Sequence, residues 1–260
     1  MLMKDIDYYL RATTHVGILT EKRNGRKLCS GSATGFWYVG GDPPRLHLVT
    51  NRHVCLNEDT QHYPDYLTAY LRHRDSEKVE ALELPLYGAG GSNRLWHEFA
   101  NTSGRVPGIR DPDIAVLPLT ERPPFREEDA VAFDETALLP GNIVVDAGDD
   151  VRILGCPEGL YDHVNNLPIV RNAMTASAFD LDYLGMRCFV VDARLHGGLS
   201  GSPVLTVPHA TVKEKTGDGN IRLGMGPSHA YLLGVLSADQ QRGLGLGIVW
   251  RSSLLEQLVR

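Results

Sequence analysis

The sequence has little cysteine, and its four cysteines show no spacing typical of a metal site. Cys29, Cys55, Cys156 and Cys188 lie far apart, so no C-x-x-C pair occurs, and such pairs are the usual signature of structural zinc. Each lies in or beside an apolar run, so we expect buried free thiols. The sequence therefore predicts neither a metal nor a cofactor. Five histidines also lack the spacing of zinc ligands, and most of them are expected at the surface. They lie at positions 47, 62, 73, 97 and 163.

Long apolar runs and stripes of positive charge are also absent. No window approaches the roughly 18 apolar residues of a membrane span, and Lys4, Asp5, Asp7 and Arg11 interrupt the start of the chain, where a secretory signal needs an apolar core. The 26 Lys and Arg residues are scattered and are outnumbered by 32 Asp and Glu residues, which argues against a nucleic-acid partner. We expect a cytoplasmic protein with no membrane partner.

What the sequence does contain is a series of short, β-branched apolar runs between turn signals. Their lengths are those of strands, not helices, and predict an all-β protein. The runs are HLVT at 47–50, IAVLPL at 114–119, VRILGC at 151–156, FVVDA at 189–193, YLLGVLS at 231–237 and LGIVW at 246–250. The long polar or glycine-rich stretches at 88–113 and 209–230 are predicted to be surface loops.

Few segments favour a helix. The sequence MKDIDYYLRA at 3–12 is one, and SSLLEQLVR at 252–260, with a serine cap and leucines at helical spacing, predicts a closing helix. The acidic, proline-rich stretch at 120–142 is the best candidate for a linker between two halves.

Three polar residues stand at the ends of predicted strands. Ser200 lies in ARLHGGLSGSPVL, where flanking glycines permit a close backbone approach, His53 follows a strand-like run, and Asp113 precedes one. Each alone is typical of a turn, cap or surface residue. Together they supply a hydroxyl, a base for its proton and an acid to orient that base, which acyl transfer requires. Asp111 is the rival for the acid.

At this point the sequence resembles the trypsin/chymotrypsin-like serine peptidases, in particular the bacterial HtrA-like and related branches, here without a PDZ domain. VTNRHV is similar to the family's histidine segment, DIAVLPL to its aspartate strand and DARLHGGLSGSPV to its serine segment, in the family's order. The resemblance runs from about Gly31 to Trp250. It implies two six-stranded antiparallel β-barrels with the active site between them and a C-terminal helix. Residues 1–130 would carry the His and Asp, and residues 131–260 the Ser and the helix.

The resemblance also implies roles for individual residues. Ser200 would be the nucleophile of a serine endopeptidase, His53 the general base and then acid, and Asp113 the group that fixes the imidazole tautomer. The backbone N–H groups of Gly198 and Ser200 would bind the oxyanion.

Two departures from the family concern activation and redox state. Secreted trypsins carry an aspartate before the serine, which pairs with a new amino terminus after cleavage; here Leu199 stands there, so activation of that type is not expected. Cys29 and Cys55 correspond approximately to a disulfide of the secreted members. Reduced thiols are favoured over that bond in a cytoplasmic protein.

For the substrate pocket the resemblance implies an apolar wall, which would select a small or medium apolar side chain at the cleaved position. If Arg194 turned into the pocket, the pocket would favour an acidic substrate residue, and Asp239 would by the same reasoning favour a basic one. Both side chains are expected to be solvated. His196 is a further polar group near the pocket. The strand at 234–238 would present an edge to an extended peptide. The pocket residues implied are Leu195, Ser237, Ala238 and Leu246.

Three alternatives remain open. An α/β-hydrolase would order its triad Ser, Asp, His, leaving His209 or His229 as the base, and Ser202 stands where its motif has glycine. A non-catalytic trypsin-like binding or regulatory module would keep the barrels without turnover. Between the active endopeptidase and this module lies a protease with a flipped peptide near Gly197–Gly198, latent until an activating protein partner or a loop movement completes the oxyanion hole. A protein or peptide substrate is expected for an active enzyme.

Overall fold

The structure is a computed structural model. It describes residues 5–58, 60–74, 76, 78–89, 91, 93–99, 111–119, 130–209, 211–226, 230–237 and 244–259. Among the features discussed above, Ala238, Asp239, His229 and positions 120–129 of the predicted linker lie outside these residues.

The amino-terminal half forms an antiparallel seven-stranded sheet. In β4 every second residue, Leu67, Ala69 and Leu71, is buried, as expected for a strand with one face on a core. The strands are β1 (Thr13–Glu21), β2 (Lys27–Gly40), β3 (Arg45–Thr50), β4 (Tyr66–Arg72), β5 (Val79–Pro85), β6 (His97–Glu98) and β7 (Ala115–Pro118). Their order across the sheet is β5-β4-β1-β2-β3-β7-β6.

The carboxyl-terminal half contains a closed barrel of six strands and a separate two-stranded hairpin. The strands are β8 (Asp150–Gly155), β9 (Ile169–Thr175), β10 (Cys188–Asp192), β11 (Pro203–Thr206), β12 (Thr211–Lys215), β13 (Ile221–Met225), β14 (Leu232–Ser237) and β15 (Leu246–Arg251). The barrel order is β10-β15-β14-β11-β8-β9, and β12 pairs with β13. All six apolar runs identified in the sequence form strands, and the all-β prediction is confirmed.

The hairpin corrects the prediction of a loop at 209–230. In β12 the side chains alternate, with Val212 and Glu214 half-buried between exposed neighbours. The N–H of Val144 donates to the carbonyl of Lys213, so β12 is paired on both sides. The alternation on either side of the turn sequence TGDG is the signal for a hairpin in the sequence. Most of the strand residues are polar, however, and such a composition favours the prediction of a loop.

Within the described ranges, three α-helices accompany the strands. Helix α1 (Ile6–Ala12) begins at Asp5, whose carboxylate accepts the N–H of Tyr8 at 2.9 Å. Helix α2 (Arg52–Cys55) follows β3 directly, and the predicted closing helix is present as a 3₁₀ turn at 252–254 followed by α3 (Leu255–Leu258). None of the helices in the described ranges is long and apolar enough to cross a membrane.

The buried side chains form three clusters, one inside each half and one between the halves. The cluster between the halves combines Tyr9, Phe36 and Phe133 with Val235 and Trp250. Phe133 belongs to the predicted linker, yet it is fully buried and hydrogen-bonded to the backbone of β2. The described end of that stretch is therefore packed against the first sheet.

Two smaller expectations are corrected by burial. Cys29 is exposed, while the other three cysteines are buried, and all four are free thiols. Cys29 lies at the outer end of the long strand β2, where the sheet extends past the core. His47, expected at the surface, is only 2% exposed because it lies in the buried central strand β3.

Candidate active site

The position of His53 is set by the junction between a strand and a short helix. Strand β3 ends at Thr50, and α2 then carries His53 over the sheet. Asn51 donates its side-chain N–H to the carbonyl of Asp113 at 2.6 Å, and the backbone N–H of His53 donates to Asp113 Oδ1 at 2.9 Å. These two bonds join α2 to the segment that enters β7.

The three predicted residues lie together in one hydrogen-bonded chain. Nδ1 of His53 is 2.6 Å from Oδ2 of Asp113, and Nε2 of His53 is 2.9 Å from Oγ of Ser200. The side chains of His53 and Asp113 are 28% and 18% exposed, so the hydrogen-bonded chain is partly open to solvent. The carboxylate that faces His53 is that of Asp113, which favours it over Asp111.

The carboxylate fixes the tautomer of the neutral imidazole. The Asp113 carboxylate can only accept a hydrogen bond, so the proton of neutral His53 lies on Nδ1. Nε2 therefore carries no proton and accepts the hydroxyl proton of Ser200. The arrangement therefore presents a serine hydroxyl to a base within hydrogen-bonding distance.

Asp113 is held in its charged form although the surrounding protein shields most of its side chain from water. Burial acts to raise the pKa of Asp113, but the positive charge available on His53 and hydrogen bonds from His53 and Ser237 outweigh it, so the pKa lies below its ordinary value. Ser237 donates its hydroxyl to Oδ2 at 2.7 Å. The resemblance placed Ser237 in the substrate pocket, but its hydroxyl is directed at Asp113 and its side chain is buried.

The loop before Ser200 has a backbone that only glycine fits. Gly198 has φ +86°, and a Cβ built on it would lie 2.3 Å from the carbonyl oxygen of Cys156. The carbonyl of Gly197 accepts the N–H of Glu158 at 2.6 Å. Within the described part of the chain, neither the N–H of Gly198 nor that of Ser200 donates a hydrogen bond. Both are free for an incoming oxygen.

Leu199 anchors this loop through apolar contact. It is fully buried and belongs to the core cluster inside the closed barrel, together with Val191 and Leu236. A side chain that is aspartate in secreted trypsins is thus replaced here by one that packs into the barrel. The loop is held in place without an ion pair at this position.

The predicted pocket residues are only partly brought together. Leu195 is half-buried, and its Cδ1 would lie 2.9 Å from a Cβ added to Gly247, so the leucine occupies the space that this glycine leaves open. Leu246, the neighbour of Gly247, is also half-buried. Arg194 is exposed, in line with a solvated arginine.

The predicted substrate edge at 234–238 is corrected for its described residues. Gly234 and Val235 pair with both β11 and β15, and Leu236 is hydrogen-bonded to Gly201 and Ser202 on one side and paired with β15 on the other. Closure of the barrel thus uses this strand's hydrogen-bonding groups up to residue 236. Among the residues described, no group of three potential ligands is placed to hold a metal ion.

Comparisons with known proteins bear on the fold. No protein-family model matches the chain, and no curated protein sequence matches it. The chain is similar to crystal structures of Rv3671c from M. tuberculosis. With a mutant in the inactive form it shares 14% identity over 97% of this chain and 87% of that chain, at a TM-score of 0.51. With the Rv3671c protease in the active form it shares 16% identity over 97% and 81%, at a TM-score of 0.50. At this identity the likeness shows the fold alone, which is chymotrypsin-like.

Proposed function

We propose that this protein is a serine endopeptidase that hydrolyses peptide bonds through an acyl-enzyme. The observation that carries the proposal is the continuous chain from Asp113 through His53 to Ser200, with contacts of 2.6 and 2.9 Å. Two of these residues come from the first half of the chain and one from the second, and the fold itself is one that hosts proteases of this kind.

The geometry suits the following sequence of proton transfers. As the Ser200 oxygen attacks the substrate carbonyl, its proton passes to Nε2 of His53, and the resulting imidazolium is stabilised by Asp113. The imidazolium then gives the proton to the departing amine. A water molecule repeats the attack on the acyl-enzyme with His53 again as base, which releases Ser200.

The developing oxyanion would be bound by the N–H groups of Gly198 and Ser200. A trans peptide points its N–H and carbonyl in opposite directions, and the Gly197 carbonyl is already occupied by the N–H of Glu158. A flip of the Gly197–Gly198 peptide, which a latent state would require, would break the hydrogen bond between Glu158 and Gly197. This supports an enzyme that is active as folded, so latency and an activating partner become outcomes for experiment.

We further propose a protein or peptide substrate with a small or medium apolar residue at the cleaved position. Leu195 fills the space above Gly247 and would make the pocket wall apolar, while Arg194 is exposed. An unpaired charge would be costly in such a pocket. The free thiols support a cytoplasmic location, since reducing compartments keep cysteines unpaired.

The test is covalent labelling of the intact protein with a fluorophosphonate, followed by mass spectrometry of the adduct, together with turnover of a peptide library. We expect one adduct on Ser200, absent in Ser200→Ala and strongly reduced in His53→Ala. Cleavage should favour apolar residues at the scissile position. No labelling in folded wild-type protein would contradict the proposal and favour the non-catalytic module. Labelling that requires an added protein partner would favour the latent enzyme.

A further inference from the structure

Thr34 of β2 is hydrogen-bonded to the loop 197–200 of the other half, called here the nucleophile loop, through two carbonyls of that loop. Its backbone N–H donates to the carbonyl of Ser200 at 2.9 Å, and its hydroxyl donates to the carbonyl of Gly198 at 2.7 Å. The hydroxyl also accepts the N–H of Cys156 at 2.9 Å, and the Thr34 carbonyl accepts the hydroxyl of Thr50 at 2.8 Å. Thr34 is completely buried, so water does not compete for these bonds.

The two carbonyls that Thr34 holds belong to Gly198 and Ser200, whose N–H groups donate no hydrogen bond within the described part of the chain. Gly198 and Ser200 stand on either side of Leu199, and each is tied to Thr34 through its carbonyl. Holding the carbonyl of a residue fixes the peptide plane that follows it. One buried residue thus acts on both sides of the turn.

Gly198 needs such support because glycine has broad backbone freedom. Its preceding peptide is held by the Glu158 N–H on the Gly197 carbonyl, and its following peptide is held by the Thr34 hydroxyl on the Gly198 carbonyl. The preceding plane carries the N–H of Gly198, and the following plane positions Leu199, which leads into the plane that carries the N–H of Ser200. Loss of the hydroxyl would release the plane that follows Gly198, so that ψ of Gly198 and the approach to the Ser200 N–H would no longer be defined.

We propose that Thr34 is a positioning residue for the oxyanion-binding N–H groups of Gly198 and Ser200, acting through its hydroxyl. This inference rests on the proposed peptidase function and deepens it. Thr34 touches no reacting atom. Its effect would fall on transition-state stabilisation, since donors act there only when they are aimed in advance at the developing charge, and substrate binding in the ground state would change little.

The experiment compares Thr34→Val, which removes the hydroxyl and keeps the shape, with Thr34→Ser, which keeps the hydroxyl. Thr34→Ala is added because alanine and serine both lack the methyl group, so their difference reports the hydroxyl alone, even where the valine variant does not fold. Thr175→Val is the matched control. Thr175 is 1% exposed, and its hydroxyl likewise donates to a carbonyl, that of Asp146, and accepts an N–H, that of Asp149, in a different part of the barrel.

Peptide turnover should separate kcat from KM. We expect kcat to fall about 10- to 100-fold in Thr34→Val and Thr34→Ala, with KM changed by no more than about 2-fold, because an oxyanion donor is misdirected and not removed. Thr34→Ser and Thr175→Val should stay within about 3-fold of the wild-type kcat. Three outcomes would each overturn the inference. Thr34→Val could keep the wild-type kcat, Thr34→Ser and Thr34→Ala could lose kcat equally, or Thr175→Val could lose as much kcat as Thr34→Val.

A second readout does not depend on turnover. The amide resonance of Gly198, observed by ¹⁵N NMR, should move in Thr34→Ala and return toward its wild-type position in Thr34→Ser. If wild-type protein proves inactive and unlabelled, the peptidase proposal fails, while a Gly198 resonance that follows the hydroxyl still supports the positioning of this amide. If wild-type protein is active and the resonance ignores the hydroxyl, only the inference about Thr34 fails.

Discussion

The hydroxyl of Ser237 lies 2.7 Å from Oδ2 of Asp113, the same carboxylate oxygen that faces Nδ1 of His53 at 2.6 Å. The end of β14, in the closed barrel, therefore supports a carboxylate that lies just before β7 of the seven-stranded sheet. The hydroxyl donates to the oxygen while His53 occupies its other side, so the carboxylate plane has little freedom to turn.

Ser237→Ala tests this support. The pKa of Asp113 is held below its ordinary value of 3.8 partly by this hydrogen bond, so stability from Asp113 is present above that value and lost as pH falls through the lower folded pKa. Removing the hydroxyl should raise the folded pKa of Asp113 and move the midpoint of acid unfolding to higher pH. We expect kcat to fall by no more than about 10-fold, because His53 keeps its own bond to the carboxylate. Circular dichroism against pH, with Ser253→Ala as a control at an exposed serine, would check this; an unchanged midpoint would contradict it.

Asp113→Asn should have a much larger effect on turnover than on folding. Asparagine keeps the shape but offers an N–H or a neutral oxygen to Nδ1, so neutral His53 can take the wrong tautomer and its imidazolium loses its counter-charge. If the proposed function holds, we expect kcat to fall by about 10⁴-fold at neutral pH, the loss that this substitution causes in a Ser-His-Asp protease. Steady-state kinetics measures this, and Asp111→Asn is the matched control. A larger loss in Asp111→Asn would reassign the third role.

Gly198→Ala separates backbone strain from steric collision. The residue has φ +86°, and its added Cβ would lie 2.3 Å from the Cys156 carbonyl oxygen. Gly148 also has a positive φ, +93°, but no atom lies within 4 Å of its added Cβ. We expect Gly198→Ala to lose fluorophosphonate labelling by at least about 100-fold, because the backbone must move and shift the N–H that we propose as an oxyanion donor. Gly148→Ala should label at the wild-type rate. Equal labelling of the two variants would show that the collision does not matter.

Leu199→Ala tests the apolar anchor of the nucleophile loop. The side chain is fully buried in the second barrel, and its truncation should lower the free energy of unfolding by about 2–5 kcal/mol. Leu223 is 74% exposed on the hairpin, so Leu223→Ala should change stability by no more than about 0.5 kcal/mol. Urea unfolding measures both. A loss for Leu199→Ala as small as that of the control would mean that the loop is held by its hydrogen bonds alone.

The histidines predict a loss of stability at mildly acidic pH. Burial lowers the pKa of His15, His47 and His62 below the ordinary 6.5. The unfolded chain then binds more protons than the folded one below pH 6.5, so their contribution is present above 6.5 and is lost as pH falls toward the lower folded pKa values. His47, which is only 2% exposed, contributes at most about 1.4 kcal/mol per pH unit.

His47 allows a specific check because it is almost completely buried. Urea unfolding of wild type between pH 7.5 and 5.5 should show a falling free energy, and His47→Gln should show a smaller fall over the same interval. His209→Gln, at an exposed histidine, should keep the wild-type dependence on pH. A pH dependence that is the same in all three proteins would exclude His47 as a contributor.

The sequence by itself determined six of the strands, β3, β7, β8, β10, β14 and β15, and the identities of the three residues in the hydrogen-bonded chain. Apolar runs such as VRILGC and YLLGVLS predict strands because alternation and length are local properties of a chain. His53, Asp113 and Ser200 were found because each stands beside such a run in a recognisable segment. The polar hairpin at 211–225 was missed because its alternation is weak.

Tertiary structure alone decided which groups support those three residues. Ser237 is separated from Asp113 by 124 positions, and Thr34 from Gly198 by 164, and no local pattern carries contacts across such distances. Closure of the barrel likewise determined that Gly234 is paired on both sides. The physical reason is the same in each case: a buried polar group must find its partner wherever packing brings one, and packing belongs to the whole fold.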